Sequence, residues 1–336
     1  MRRQIAAIAL AFLLPMPGLA EPVLPGLAEP VTQGAEPVAQ VVALGVTQGE
    51  TQNQERHKIG YGLLFTNDLL GDGHDRWRTG SVTSSRLYGP DWQGQAPAQF
   101  GALLELRLQG QIVQPANLKV PNAADRPWAG ALTAELNSHM QRGSNEILLG
   151  GGLAVIGPQT QLDRVQSWLH GLVSAPKVSD VVLNGQVANK IQPLISAEVG
   201  RAMTLSDRIE LRPFVEARAG DETYLRAGLD LTYGQLAQGG LLVRETVTGQ
   251  RYRTIQGEAT GLTLTAGADI AYVSDSIYLP DSNGYDLADS RRRARVGLRW
   301  QGESVAAFYG LTYLGKEFTG QSDSQLTGSL QLQLRF

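Results

Sequence analysis

The sequence has no cysteine among its 336 residues. That excludes a disulfide framework, thiolate catalysis and a cysteine-ligated metal centre. It has no excess of basic charge either: 29 Lys and Arg stand against 32 Asp and Glu, a net charge of −3. Nothing in that balance points to a nucleic-acid partner. No apolar run reaches the roughly 20 residues that a membrane-crossing helix needs, and mean hydropathy is only −0.15. Full disorder is excluded as well, because net charge is low and hydrophobic residues make up 42%. Glycine is plentiful at 39 residues but follows no three-residue period, and proline is held to 16, so the chain is not collagen-like. Two classes remain, a soluble β-rich domain and a transmembrane β-barrel.

The N-terminus narrows the choice. Arg2 and Arg3 precede the apolar run Ile5–Leu14, and small residues follow at Gly18 and Ala20. This is the order of a secretory signal peptide over residues 1–20, too short to anchor in a bilayer. Its removal moves the net charge from −3 to −5. Residues 21–56 repeat the unit Ala-Glu-Pro-Val, beginning with Ala20, and again at Ala28 and Ala35. Prolines at that frequency fix φ and remove backbone donors, so a disordered leader is expected.

From residue 57 to 336 the dominant period is two. Ala294, Val296, Leu298 and Trp300 alternate with Arg293, Arg295 and Arg299; Leu330, Leu332, Leu334 and Phe336 alternate with Gln331, Gln333 and Arg335. Successive side chains of a strand point to opposite faces, so each segment has one apolar and one polar face. Strands of about ten residues in an exported chain favour an outer-membrane barrel, apolar toward lipid and polar toward the lumen. The pattern predicts twelve strands, near 59–69, 77–88, 99–113, 128–140, 145–156, 191–203, 208–219, 224–235, 262–273, 291–301, 303–315 and 325–336. An even count suits a bacterial single-chain barrel. The fold class expected is thus all-β, a 12-stranded antiparallel transmembrane β-barrel with a short helix at the extracellular rim. With both ends periplasmic, the long connections 113–127, 157–190 and 274–290 face outward. The segment 236–261 does not fit, since it becomes a long periplasmic excursion.

The helix is expected in the 157–190 connection. Thr160 and Asp163 form a candidate capping box, Leu162, Val165, Leu169 and Leu172 recur at helical spacing, and Gln166 and His170 share another face. Asn67 and Asp68 end the first rising strand, Thr79 begins the second, and Lys119 lies in the second outer loop. Four segments therefore bring polar groups to the outer rim.

Several of these stretches resemble the outer-membrane lipid A 3′-O-deacylase (LpxR) family. They are Phe65-Thr66-Asn67-Asp68, Asp75-Arg76-Trp77-Arg78-Thr79-Gly80 and Asp125-Arg126-Pro127-Trp128-Ala129-Gly130. Gly157-Pro158 followed by Gln166 and His170, and Lys316-Glu317-Phe318-Thr319-Gly320-Gln321, complete the ordered set. The resemblance implies a twelve-stranded barrel with a calcium-dependent site between wall and helix, which removes the 3′-linked acyloxyacyl group of lipid A. By position it implies Asn67, Asp68, Thr79, Gln166 and His170 as catalytic, with Ca2+ at Asp68, Asn67 and Thr79, and Lys119 binding substrate. The expected partners are lipopolysaccharide of the outer leaflet and the outer-membrane insertion machinery.

The residue types suit ester hydrolysis. Histidine has an unperturbed pKa of about 6.5 and serves as a base near neutral pH. Oxygen ligands can hold calcium, whose charge stabilises a developing oxyanion. Other readings are an outer-membrane phospholipase using Ser138-His139 or Ser144-Asn145, a smaller 3-O-deacylase, and a non-enzymatic porin or anchor. No histidine follows His170, which argues against the smaller deacylase.

Overall fold

The computed structural model describes residues 56–234, 239–257, 259–281 and 284–334. The expected signal peptide, the leader and Phe336 lie outside the described residues. Fifteen strands follow in chain order. They are β1 (His57–Asn67), β2 (Trp77–Gly89), β3 (Leu103–Gln114), β4 (Ala129–Arg142) and β5 (Asn145–Ile156). Next come β6 (Lys190–Arg201), β7 (Met203–Ser206), β8 (Ile209–Ala219), β9 (Glu222–Tyr233), β10 (Leu241–Arg244) and β11 (Arg251–Ile255). The last four are β12 (Gly261–Ser276), β13 (Arg291–Gln301), β14 (Val305–Leu314) and β15 (Gln325–Leu334). Two helices, α1 (Leu162–Val173) and α2 (Asp180–Asn184), lie between β5 and β6.

Every pairing is antiparallel. β1 pairs with both β2 and β15, and β6 with both β5 and β8, so the sheet closes on itself. β7 continues β6 along the same neighbour, β8. The result is a closed twelve-stranded barrel, as the alternation predicts.

Exposure shows which way the barrel is turned. Along β13, Val296, Leu298 and Trp300 are 45%, 49% and 46% exposed, whereas Arg293, Arg295 and Arg299 are 5%, 6% and 2% exposed. A water-soluble sandwich would reverse those values. Apolar side chains outside and charges inside are the arrangement that hydrocarbon surroundings stabilise.

The segment 236–261 departs from the expectation of a periplasmic excursion. Its β10 and β11 form a two-stranded hairpin that bonds to lumen-facing residues around the barrel. Arg244 donates to Glu198 at 2.7 Å and to Asp230 at 2.7 Å. Tyr252 Oη lies 2.6 Å from Ser85 Oγ, Gln109 donates to Glu245 at 2.8 Å, and Arg253 donates to Gln301 at 2.9 Å. At the tip, Gly249 has a φ of 72°, and a Cβ there would stand 2.8 Å from the Arg293 guanidinium. Only glycine meets both conditions without strain. The hairpin is a plug, and these bonds anchor it to the wall.

Two smaller expectations change. Helix α1 has Gln161 rather than Thr160 at its N-cap, with a φ of 54° and no side-chain cap. Thr160 instead ends a 3-10 turn and bonds back to the Gly157 carbonyl at 2.8 Å. Ser138 and His139 are consecutive on β4 and cannot form a dyad: Ser138 Oγ accepts from Gly101 N, and His139 Nε2 contacts Glu105 at 2.8 Å.

Candidate active site

The motifs dispersed along the chain meet at the outer rim. Arg78, at the start of β2, donates to Glu317 at 2.7 Å and to Glu222 at 2.7 Å. Arg126 donates to Glu317 at 2.5 Å, and Trp77 Nε1 donates to Asp125 at 3.2 Å. These bonds join the loops before β2, β4 and β15 into one frame. Although burial opposes it, Arg78 and Arg126 hold the Glu317 carboxyl below the ordinary carboxylate range.

A bulge sets the chemistry beside that frame. The register of β2 against β3 shifts between Trp77 and Gly80, and Trp77 sits in the left-handed region with a φ of 54°. Bulges re-aim side chains at sheet ends. Here Arg78 and Thr79, though consecutive, are both buried and serve different clusters. Among the described residues the other non-glycine positive φ values belong to Gln161 and Ser174, the two caps of α1. The three left-handed residues thus frame the same cleft, and such conformations persist only where the surroundings enforce them.

Within the cleft, Thr79 Oγ1 lies 2.6 Å from Asp75 Oδ1 and 3.1 Å from Asp68 Oδ1. A hydroxyl has one proton and can donate to only one of the two. Asp68 also accepts from the Arg76 amide at 2.8 Å. Burial, reinforced by the charge of Asp75, nevertheless pushes its carboxyl well above the usual range. Asp75 Oδ1 accepts from Gln114 Nε2 at 2.6 Å, while its Oδ2 is buried with no hydrogen-bond partner. His170 Nε2 stands 3.4 Å from that oxygen, near it but not aligned for a hydrogen bond.

The other imidazole nitrogen fixes the tautomer. His170 Nδ1 lies 2.6 Å from the Pro176 carbonyl, which can only accept. Nδ1 therefore carries the proton, and in a neutral ring Nε2 presents its lone pair to the cleft. Gln166 holds the helix to the wall: it accepts from Trp128 Nε1 at 3.0 Å and donates to Gln114 Oε1 at 2.5 Å. Gly130 permits this approach, since a Cβ there would meet Leu162 Cβ at 2.8 Å.

The structure thus brings Asp68, Thr79, Gln166 and His170 into one connected group. Asn67 adjoins it: its Oδ1 accepts from Leu69 N, and its amide lies against Gly80. Lys119 is not brought in. It is exposed on the second outer loop, with its amide on Asn117 and its carbonyl on Ser179. Sequence reasoning passed over Gln114 and Trp128, which carry the Gln166 hydrogen bonds between wall and helix, and Asp75, which links Thr79 and Gln114 and faces His170. Asp75 and Trp128 stand inside the motifs, so the signal was present; Gln114 is marked only by the proline after it.

Among the described residues no three His, Asp or Glu side chains converge as a metal-binding group. The available donors are oxygens: two carboxylates, a threonine hydroxyl and an asparagine amide. Such a set suits a hard cation and not zinc.

The class defined by this architecture is an outer-membrane barrel with a helix-covered cleft on its outer wall. The model of the family described as outer membrane protein LpxR matches residues 36–336, and the chain belongs to that family. Among solved structures it is similar to LpxR from Salmonella typhimurium, with 19% identity and a TM-score of 0.68 over 82% of this chain and 100% of that one. More distant barrels include the KdgM porin (7% identity, TM-score 0.36, 82% of this chain and 98% of that one). The translocator domain of autotransporter NalP from Neisseria meningitidis gives 12% identity and a TM-score of 0.38, over 85% of this chain and 90% of that one. Comparison with curated proteins finds no match.

Proposed function

We propose that the cleft hydrolyses the 3′-linked acyloxyacyl ester of lipid A, with His170 as general base. The observation that carries this reading is the imidazole fixed through Nδ1 on the Pro176 carbonyl, with Nε2 turned to the cleft 3.4 Å from an Asp75 oxygen that receives no hydrogen bond. A water between His170 and the ester carbonyl would lose its proton to Nε2 as it attacks. The same proton then passes to the departing sugar oxygen. Gln166 keeps α1, and so the imidazole, at a fixed distance from the wall. Lys119 is free to meet a lipid A phosphate from its exposed loop.

Asp68, Thr79 and Asn67, joined by Asp75, would hold Ca2+. The fit rests on Thr79, whose single proton cannot satisfy two carboxylates, and on the orphaned Asp75 oxygen. When bound, the ion would supply positive charge for the oxyanion that develops at the ester carbonyl. A porin reading has less support, because the β10–β11 hairpin fills the lumen. Mass spectrometry of lipid A from cells with and without the protein is the test. Loss of one acyloxyacyl unit, blocked by a calcium chelator, is the expected result; unchanged lipid A in both strains overturns the reading.

A further inference from the structure

Helix α1 turns Gln166 and His170 toward the protein and a stripe of apolar residues away. Gln166 is buried against the wall, yet Val165, Trp168 and Leu172 are 42%, 53% and 51% exposed. Their spacing of three and four places them on one stripe of the helix. Arg164 and Gly171, four before and three after Trp168, are exposed along the edge of the same stripe. For a helix meeting water on its free side, this arrangement wastes apolar burial.

The contacts along α1 show how it lies. Leu162 abuts Gly130 on β4, Gln166 bonds Gln114 at the end of β3, and His170 approaches Asp75 just before β2. Successive contacts step from strand to strand, so the axis crosses the staves and follows the rim. The barrel's lipid-facing belt rises on the same side: Leu132 on β4, Leu153 on β5, and Ile191 and Ile195 on β6 are 41%, 53%, 65% and 68% exposed. The apolar stripe of α1 continues that belt.

We infer that Val165, Trp168 and Leu172 seat α1 in the acyl-chain layer of the outer leaflet, so that the helix lies in the membrane interface as a lip of the cleft. Amphipathic helices bind lipid in this way, with one apolar side sunk past the headgroups, and tryptophan is enriched at that depth. The consequence concerns substrate. An acyl chain can then pass along α1 to the His170 side without leaving hydrocarbon. This last step rests on the proposed deacylation, whereas the seat itself does not.

Because the chain has no cysteine, single substitutions label uniquely. Trp168→Cys, Leu172→Cys and, in the exposed second outer loop, Ala123→Cys, each spin-labelled and reconstituted in phosphatidylcholine vesicles, report depth by collision with oxygen and with a water-soluble nickel chelate. Labels at 168 and 172 should collide with oxygen and be shielded from nickel, with the reverse at 123. Equal nickel access at all three positions overturns the seat. So does shielding from both reagents at 168 and 172, the signature of a protein contact. In a second arm, Trp168→Ser with Leu172→Ser should slow turnover of bilayer-embedded lipopolysaccharide by at least about tenfold, the scale of losing a buried apolar side chain. Detergent-dispersed substrate should be cleaved at the unmodified rate, and equal slowing in both media overturns acyl delivery. If no lipid A is cleaved by any form, the proposed reaction fails while the labels still decide the seat.

Discussion

Glu317 and Asp68 are both buried carboxylates at the outer rim, and their surroundings are opposite. Glu317 meets Arg78 and Arg126, and its carboxyl is held low. Asp68 meets Asp75 and Asp72, receives only neutral donors, and is pushed high by burial and those charges. Much of the lumen repeats the first pattern: Arg244 spans Glu198 and Asp230, and Arg218 spans Glu135 and Asp221, whereas Glu245 on the plug is held by neutral donors. A buried charge left without its opposite is costly, so folding for stability alone eliminates it. The barrel contains many charges, and the cleft stands out because two neighbouring carboxylates, Asp68 and Asp75, share one threonine hydroxyl and neither pairs with an arginine or lysine among the described residues. Unpaired, closely spaced carboxylates are what a cation site requires, and they identify the rim as the place where stability yields to chemistry.

Four substitutions test that contrast, beginning with the strongest. Asp68→Asn should abolish turnover while leaving the barrel folded. Its stability effect has a definite sign. A carboxyl whose folded-state pKa is raised binds its proton more tightly in the folded protein, so stability falls as pH rises from the ordinary aspartate range through the raised value. Asparagine removes that loss. In chelator at neutral pH the variant should melt at or above the parent, read by heat-modifiable gel migration. A clearly lower melting point would show that Asp68 is a structural carboxylate like Glu317.

His170→Asn should lower turnover by about 10²–10⁴, the range for a positioned acid–base group, with unchanged melting. Near-normal turnover by a folded variant removes the base assignment. Arg244→Ala is the opposite experiment. Glu198 keeps Arg212, and Asp230 keeps Arg295 and Arg212. Losing Arg244 should therefore cost less than about 3–5 kcal/mol, the scale for breaking an isolated buried pair, measured by denaturant unfolding in detergent. Turnover of the surviving folded fraction should hardly change, because the plug does not touch the cleft. A large fall in its turnover would mean that lumen and rim are coupled.

Strand alternation was legible because lipid and lumen impose opposite demands on neighbouring residues: β13 could be read from its arginines alone. The plug was not legible for the same reason. Leu241-Leu242-Val243-Arg244 meets protein on both sides, so it carries no alternation and reads as a misfit between strands. The site was legible in part. Asp68 and Thr79 lie at segment ends that the topology forces together, and Gln166 and His170 share the helix face turned to them. Asp75 stood in a quoted motif, but its role was not read because the bulge between Trp77 and Gly80 sets where Thr79 meets it, and one residue of register cannot be seen from composition. Thr160 failed as a cap because the chain first makes a 3-10 turn that Gly157 and Pro158 begin. Lys119 was placed by its loop and by the family resemblance, and the loop keeps it at the surface.

Gln166→Ala should have the smallest effect of the four, and its two components can be separated. The side chain bridges Trp128 Nε1 and Gln114 Oε1, so its removal leaves a buried donor and a buried acceptor unpaired. Such losses cost about 1–3 kcal/mol per group, less any water that enters. That cost falls on the docking of α1 and not on the barrel, whose closure does not involve the helix. Heat modifiability should therefore stay unchanged while the α1 segment becomes more open to proteolysis. Turnover should fall less than in His170→Asn, since the imidazole keeps its bond to Pro176 and still reaches the cleft for part of the time. Gln166→Glu sharpens the point. A carboxylate can still accept from Trp128 but cannot donate to Gln114, and it sets a further negative charge in a cluster already short of cations. If that charge aids cation binding, Gln166→Glu should retain more activity than Gln166→Ala at high calcium and less at low calcium. Equal activity of the two variants at every calcium concentration would assign Gln166 to helix docking alone.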